Sequence, residues 1–264
     1  MKIALCLSGT VGKIYTNKKQ YEYDQDVDYR IGLEHYKRHL FKHNDVDVFM
    51  HCWDKKYEKE IVKDYNPKSY VFEDQISFNK EEIRQEYIQS RWYSQKQVLQ
   101  LKKNYEESNN FTYDYVMVAR FDQAFLSDLI FKNYDNNKFW APIDQETVEK
   151  SRDVGMFLDY FFFSNSKNMD KFGAIYDYQN ELEEFKKTNK LGMWTKKLNA
   201  HEDAFIFAAM HKTTKFNIDY MFVESKDHDL VRAIYEDCEY KGNNFKGIDS
   251  LKKYSQYPRH NGRF

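Results

Sequence analysis

The segment Tyr113–Phe125 reads YDYVMVARFDQAF and combines a short apolar run with a charged end. The residues Val116–Ala119 are apolar without alternation, which is typical of a strand buried on both faces of a parallel sheet. Arg120 and Asp122 follow this run directly. Polar residues at the carboxyl end of such a strand lie in the crevice where open α/β sheets bind their ligands. Two interpretations are therefore open: an ion pair that ends the strand, or a ligand site.

Apolar spacing on both sides of this segment indicates alternating strands and helices. Strands are predicted at Ile3–Leu7, Asp45–Trp53, Tyr70–Phe72, Tyr115–Ala119, Asp159–Phe163 and Phe216–Val223. Helices are predicted at Tyr29–His43, Lys80–Glu107, Asn168–Phe185 and His201–His211. This order predicts an α/β fold in which helices flank a mostly parallel central sheet. No Gly/Ser-rich linker divides the chain, so we expect residues 1–264 to form a single domain.

Composition narrows the classes of function. The formal net charge is −1, which argues against a protein held on nucleic acid by bulk electrostatics. Cys6, Cys52 and Cys238 lack metal-type spacing and are expected to be reduced thiols in a cytoplasmic protein. The apolar run Ile3–Leu7 is too short for the core of a signal peptide. No apolar run approaches the roughly 18 residues that a membrane-spanning helix needs.

The turn Ser8-Gly9-Thr10 follows the first strand and is a second candidate for ligand binding. Glycine allows a ligand to approach the backbone closely, and the two hydroxyls offer hydrogen bonds. The turn matches neither the GxGxxG fingerprint of dinucleotide-binding proteins nor a phosphate-binding P-loop. Because it ends the first strand, we expect it to line a ligand pocket at the carboxyl edge of the sheet.

Two further polar residues are candidates for ligand contact. Arg91 lies on the long predicted helix and is expected either to contact a ligand or to be solvated at the surface. Asp159 begins an aromatic predicted strand. Its carboxylate is expected either to face the cleft or to be an ordinary surface carboxylate.

The triplet His201-Glu202-Asp203 opens a predicted helix. Acidic side chains are stabilised at the positive amino end of a helix, so Glu202 and Asp203 fit simple capping. They also fit a general base, because a carboxylate in a cleft can deprotonate a hydroxyl.

Three of these segments together resemble GT-A-type glycosyltransferases: KIALCLSG at Lys2–Gly9, DVFMHCW at Asp47–Trp53, and YDYVMVARFD at Tyr113–Asp122. More narrowly, the chain is similar to glycosyltransferases of bacterial surface-polysaccharide clusters and of large phages and viruses. The similarity continues more loosely through Asp159–Phe172 and His201–Phe205. The similarity rests on the order and spacing of these segments and not on any single motif.

The resemblance implies a Rossmann-like GT-A domain that moves a sugar from a nucleotide-sugar to an acceptor hydroxyl on a glycan or other molecule. Residues 1–125 would form the nucleotide-sugar-binding half and residues 126–264 the acceptor-side half. The expected donor-binding residues are Ser8, Gly9, Thr10, Arg91 and Arg120. Asp159 is expected on the acceptor side, and either Asp203 or Glu202 is expected to be the catalytic base.

The same resemblance implies a divalent metal, Mn²⁺ or Mg²⁺, on the diphosphate of the donor. In this family a D-x-D-type motif ends a central strand and binds the metal, but the matching triplet here is Arg120-Phe121-Asp122. Asp122 would hold the metal, with His260 in the tail HNGRF as a further ligand. Alternatively, Arg120 itself neutralises phosphate charge.

Two other functions are compatible with these residues. One is a non-catalytic nucleotide- or glycan-binding protein of the same fold, which the arginine at position 120 favours. The other is a phage-type glycosyltransferase that acts on modified DNA bases, which the net charge disfavours. For a phage or viral protein, the expected location is the host cytoplasm.

Overall fold

The computed structural model describes residues 1–11, 29–78, 83–143, 157–189, 200–223 and 227–230. Seven strands form one sheet in the spatial order β3-β2-β1-β4-β7-β6-β8. They are β1 (Ile3–Gly9), β2 (Val46–Cys52), β3 (Ser69–Phe72), β4 (Tyr115–Ala119), β6 (Phe139–Ile143), β7 (Phe162–Ser164) and β8 (Ile218–Val223). Strand β7 pairs antiparallel with β4 and β6, whereas the other neighbours pair parallel. A separate antiparallel ribbon joins β5 (Gln123–Phe125) to β9 (His228–Leu230).

Helices cover both faces of the sheet. They are α1 (Tyr29–Tyr36), α2 (Glu58–Tyr65), α3 (Ile83–Asn109), α4 (Ser166–Gly173), α5 (Gln179–Asn189) and α6 (Ala200–Met210). A π-helical turn at Lys37–Phe41 continues α1, and short 3₁₀ turns lie at Lys55–Tyr57, Phe131–Asn133 and Ala174–Tyr178. Within the described ranges, no helix is both long and apolar enough to cross a membrane.

Alternation along the central strands divides the core into two layers, because successive side chains of a strand point to opposite faces. Leu5, Leu7 and Met117 belong to the layer that contains Leu33 and Tyr36 of α1. On the opposite face, the second layer contains Ala4, Cys6, Val116 and Val118 of the sheet with Trp92 of α3. Burial on both faces explains why β1 and β4 are almost continuously apolar.

The strand order reverses at β1. The chain runs from β1 outward through β2 and β3, and then returns to the other side of β1 as β4. Such a reversal opens a crevice at the carboxyl ends of the two strands, where open α/β sheets bind ligands. Leu7 pairs with Ala119, so Ser8 and Arg120 both follow at this edge.

The predicted α/β class and the mostly parallel, helix-flanked sheet are confirmed, and β4 has the predicted bounds. Some elements differ from the prediction. The expected strand Asp159–Phe163 begins only at Phe162, because Asp159 lies in a bend where its groups contact other side chains. The expected helix Asn168–Phe185 is two helices joined by a 3₁₀ turn, and the expected helix Tyr29–His43 changes to the π-helical turn after Tyr36.

Candidate functional site

Arg120 and Asp122 form an ion pair at the end of β4. Nε of Arg120 donates to Oδ1 of Asp122 at 2.7 Å, and Nη2 donates to Oδ2 at 2.8 Å. The two side chains are 24% and 10% exposed, so a ligand at the surface of the crevice reaches Arg120 more easily. Such a two-bond contact between guanidinium and carboxylate is strong and directional. The structure therefore contains the Arg120–Asp122 ion pair, and this pair is compatible with a ligand site beside it.

Helix α1 fixes the turn that carries this pair. The hydroxyl of Tyr36 donates to the main-chain oxygen of Arg120 at 2.7 Å. At Gly32, a Cβ atom would lie 2.2 Å from the main-chain oxygen of Phe121. Real atoms do not approach so closely, so only glycine lets α1 pack against the turn in this position.

A second ion pair connects α3 to the bend before β7. Nε of Arg91 lies 2.6 Å from Oδ2 of Asp159, and Nη2 of Arg91 also donates to the main-chain oxygen of Asp159. Because β7 is antiparallel, its first residue, Phe162, pairs with Val118 near the carboxyl end of β4. The bend at Asp159 is thereby brought to the edge of the sheet that carries Arg120. Asp159 is buried, which contradicts the alternative of an ordinary surface carboxylate.

His201, at the start of α6, completes the environment of Asp159. Its Nδ1 lies 2.7 Å from Oδ1 of Asp159 and accepts a hydrogen bond from the amide N–H of the same residue at 2.8 Å. Nδ1 is therefore the acceptor of this contact, and a neutral imidazole in this position carries its proton on Nε2.

The charges of the two ion pairs act on one another. Burial opposes ionisation of Asp159, but Arg91, His201 and Arg120 together outweigh it and hold the pKa of Asp159 well below its usual range. Burial lowers the pKa of Arg91, with Asp159 acting in the opposite direction. For Arg120, the contact with Asp122 outweighs burial and raises the pKa. The site thus holds two fixed cations beside two ionised carboxylates.

The carboxyl end of β1, with Thr10 directly after it, borders the same crevice. Gly9 has φ = +119°, and a Cβ atom placed there would meet nothing within 4 Å, so space is open beside it. Its amide donates to Oγ of Ser94 on α3 at 3.1 Å, and Oγ lies 2.7 Å from Nδ1 of His51. Ser8 is buried and Thr10 is exposed. Thr10 is accessible to a ligand, as the predicted role in a nucleotide pocket requires.

The described residues do not fit the expected metal site. Both oxygens of Asp122 accept hydrogen bonds from Arg120, so a cation there would have to displace a guanidinium. Within the described ranges, no group of three or more His, Cys, Asp or Glu side chains is arranged to hold a metal ion. His260, the other expected ligand, lies outside those ranges.

The two carboxylates expected to supply a base differ in their burial and in their partners. Asp203 is 2% exposed, and Nζ of Lys186 on α5 donates to its Oδ1. Burial raises the pKa of Asp203, and Lys186 opposes that rise. Glu202 is partly buried, which raises its pKa. Asp203 is therefore placed as the partner of a buried lysine, and this placement gives no support to a role as base.

Four predicted site residues, Arg91, Arg120, Asp122 and Asp159, are thus brought into one cluster. Sequence patterns missed Gly32, Tyr36, Ser94 and His201, which position or extend it.

No known protein-family model matches the chain. No curated protein matches it in sequence either. Chemically, the cluster can bind an anion with directional hydrogen bonds from arginine.

Proposed function

We propose that the protein is a glycosyltransferase that moves a sugar from a nucleotide-sugar donor to an acceptor hydroxyl. The observation that carries the proposal is the position of Arg120 beside the crevice between the carboxyl ends of β1 and β4. A donor of this class brings a diphosphate, which needs cationic, directional hydrogen-bond donors. The sequence resemblance to GT-A-type enzymes adds the sugar-transfer chemistry.

Arg120 is the group best suited to contact the diphosphate. The hydrogen bonds of Arg120 to Asp122 use Nε and Nη2. Nη1 takes no part in this contact and is the nitrogen that can donate to a ligand. Asp122 fixes the plane of the guanidinium, so its orientation does not have to be established on binding. A preorganised cation stabilises the negative charge that develops on the departing diphosphate.

Arg91 has a supporting role in this proposal. Its guanidinium is engaged by both the carboxylate and the main-chain oxygen of Asp159. It adds positive potential to the crevice and holds the bend before β7 against α3. Ser8, Gly9 and Thr10 would border the nucleoside portion, because they end the neighbouring strand.

A non-catalytic nucleotide-binding protein is the second candidate. It is favoured by the ion pairs of Asp122 and Asp203, since the expected metal ligand and one of the two expected bases are bound to cations. Such a protein would bind the same ligands without releasing sugar.

A screen of nucleoside diphosphates and nucleotide-sugars tests the proposal. A bound ligand raises the melting temperature, because it stabilises the folded state by mass action. The stabilising nucleotide-sugar is then incubated with glycans, small hydroxyl compounds or DNA as acceptor, with Mn²⁺ or with EDTA. Release of nucleoside diphosphate with a glycosylated product supports a transferase. Binding without turnover supports the second candidate, and neither effect in any mixture contradicts both.

A further inference from the structure

We propose that Glu73, His51 and Ser94 form a hydrogen-bond relay that positions the carboxyl end of β1 for nucleotide binding. The inference rests on the proposed function and deepens it by naming the residues that shape the nucleotide side of the crevice. All three are positioning residues, because they act on the ligand through the backbone of Gly9.

The relay runs across the carboxyl edge of the sheet, from the surface to β1. Oε1 of Glu73, which directly follows β3, lies 2.9 Å from Nε2 of His51 on β2. Nδ1 of His51 lies 2.7 Å from Oγ of Ser94 on α3. The same Oγ accepts a hydrogen bond from the amide of Gly9 at 3.1 Å. The relay thus connects three neighbouring strands and α3 at the edge that carries the crevice.

The two ends of the relay determine the direction of its hydrogen bonds. An ionised carboxylate only accepts, so Nε2 of His51 carries the proton that it donates to Glu73. Burial lowers the pKa of His51 and Glu73 opposes that effect, so the imidazole is neutral near neutral pH and its Nδ1 accepts. The hydroxyl of Ser94 therefore donates to Nδ1. The main-chain oxygen of His51 is 3.5 Å from Oγ, which is too long for a competing hydrogen bond.

The relay is buried except at its outer end. Ser94 and His51 are 0% exposed, whereas the side chain of Glu73 is 35% exposed. The rings of Trp53 and Tyr93 lie edge-on to the imidazole, with centroids 4.8 and 6.0 Å away, and restrict its rotation. A buried hydroxyl cannot exchange a lost partner for water, so each contact in the relay supports the next.

The backbone that Ser94 holds is the part of β1 nearest to the crevice. Gly9 has φ = +119°, a conformation that glycine adopts without steric cost but leaves as readily. The hydrogen bond from its amide to a buried acceptor favours this one conformation. Thr10 follows directly and is exposed. A backbone that is ordered before binding lowers the entropic cost of ordering it around a ligand.

Titration of ADP, GDP, CDP and UDP into folded wild type and variants tests the assignment. We expect Ser94→Ala to weaken binding of the tightest of the four about 3- to 10-fold, as loss of one neutral hydrogen bond predicts. Glu73→Ala should also weaken binding, and Glu73→Gln, which keeps an acceptor oxygen, should weaken it less. Ser90→Ala is the matched control and should bind as the wild type does, because this hydroxyl lies one turn earlier on α3 and contacts Gln75.

A double-mutant cycle separates a connected relay from independent structural effects. Ser94 and Glu73 contact opposite nitrogens of the His51 ring. The effects of Ser94→Ala and Glu73→Ala on affinity should therefore be less than additive, because either substitution alone interrupts the relay. Nitrogen-15 NMR of the ligand-free wild type provides a readout without nucleotide and should show the proton of His51 on Nε2.

The outcomes distinguish this inference from the proposed function. Nucleotide binding that is unchanged in Ser94→Ala, additive effects in the cycle, or a proton on Nδ1 of His51 would each overturn the relay and leave the proposed function standing. A wild-type protein that binds none of the four nucleotides and no nucleotide-sugar would contradict the proposed function, and the positioning role would be overturned with it.

Discussion

Arg91 and Asp159 contact each other although 68 residues separate them, with Nε of the arginine 2.6 Å from Oδ2 of the carboxylate. The contact fastens the middle of α3 to the bend that precedes β7. It places a buried cation and a buried anion beside the Arg120–Asp122 pair at the carboxyl edge of the sheet. Two elements that are distant in sequence thereby share one charged site.

Asp122→Asn should lower stability because it leaves Arg120 without its ionised partner. Removing one member of a buried pair costs about 3–5 kcal/mol, and the partial exposure of Arg120 reduces our expectation to about 2 kcal/mol. Urea unfolding measures this change. Asp74→Asn is the control, since its carboxylate is 84% exposed and its pair with Lys55 should contribute below about 1 kcal/mol. Equal stability of the two variants would contradict the structural role of the Arg120–Asp122 pair.

Gly32→Ala should destabilise the protein and disturb the site. The new methyl group would lie 2.2 Å from the main-chain oxygen of Phe121, so backbone must move. We expect a loss of about 3 kcal/mol in the free energy of unfolding, at the upper end of overpacking costs. Gly173→Ala is the matched helical control, because the atom nearest to its methyl group is Cδ1 of the Leu99 side chain, at 2.8 Å, and that side chain can move. A Gly32→Ala protein as stable as the Gly173→Ala protein would refute the close packing of α1.

Stability should depend on pH through His35. Burial lowers the pKa of His35 from 6.5 to about 4, although the main-chain oxygen of Phe125 accepts a hydrogen bond from its Nδ1. Between these pH values the unfolded chain binds a proton that the folded protein does not. The free energy of unfolding should therefore fall as the pH drops from 6.5 toward 4, by up to about 3 kcal/mol.

Urea unfolding of the wild type and of His35→Gln at several pH values isolates this contribution. The wild type should lose stability relative to the variant as the solution is acidified through that interval. Parallel stability profiles would show that His35 is not held neutral.

Asp203→Asn should affect stability more than the rate of transfer. The substitution leaves the Lys186 ammonium, which is 9% exposed, without a charged partner, at an expected cost of about 3 kcal/mol. Activity per folded molecule should stay at the wild-type level. A stable Asp203→Asn protein with transfer reduced by orders of magnitude would return the role of base to Asp203.

The sequence predicted the central strands because their burial pattern is local. Every residue of Val116–Ala119 is apolar, which marks a buried strand. Arg120 and Asp122 lie two positions apart at the end of that strand, so the proximity of their side chains follows from the spacing. The strands β5, β7 and β9 have three residues each, too few to show a period. The Asp159–His201 contact depends on how α6 packs against the bend before β7, and no local pattern encodes it.

Titration of nucleoside diphosphates into the wild type, Arg120→Gln and Arg38→Gln tests most directly whether Arg120 binds the diphosphate. Circular dichroism first establishes that each variant is folded. A hydrogen bond to a charged group contributes about 1.5–3 kcal/mol, so Arg120→Gln should weaken binding about 10- to 100-fold. Arg38→Gln, which removes an exposed arginine after α1, should bind as the wild type does. Wild-type affinity in a folded Arg120→Gln protein would contradict the account.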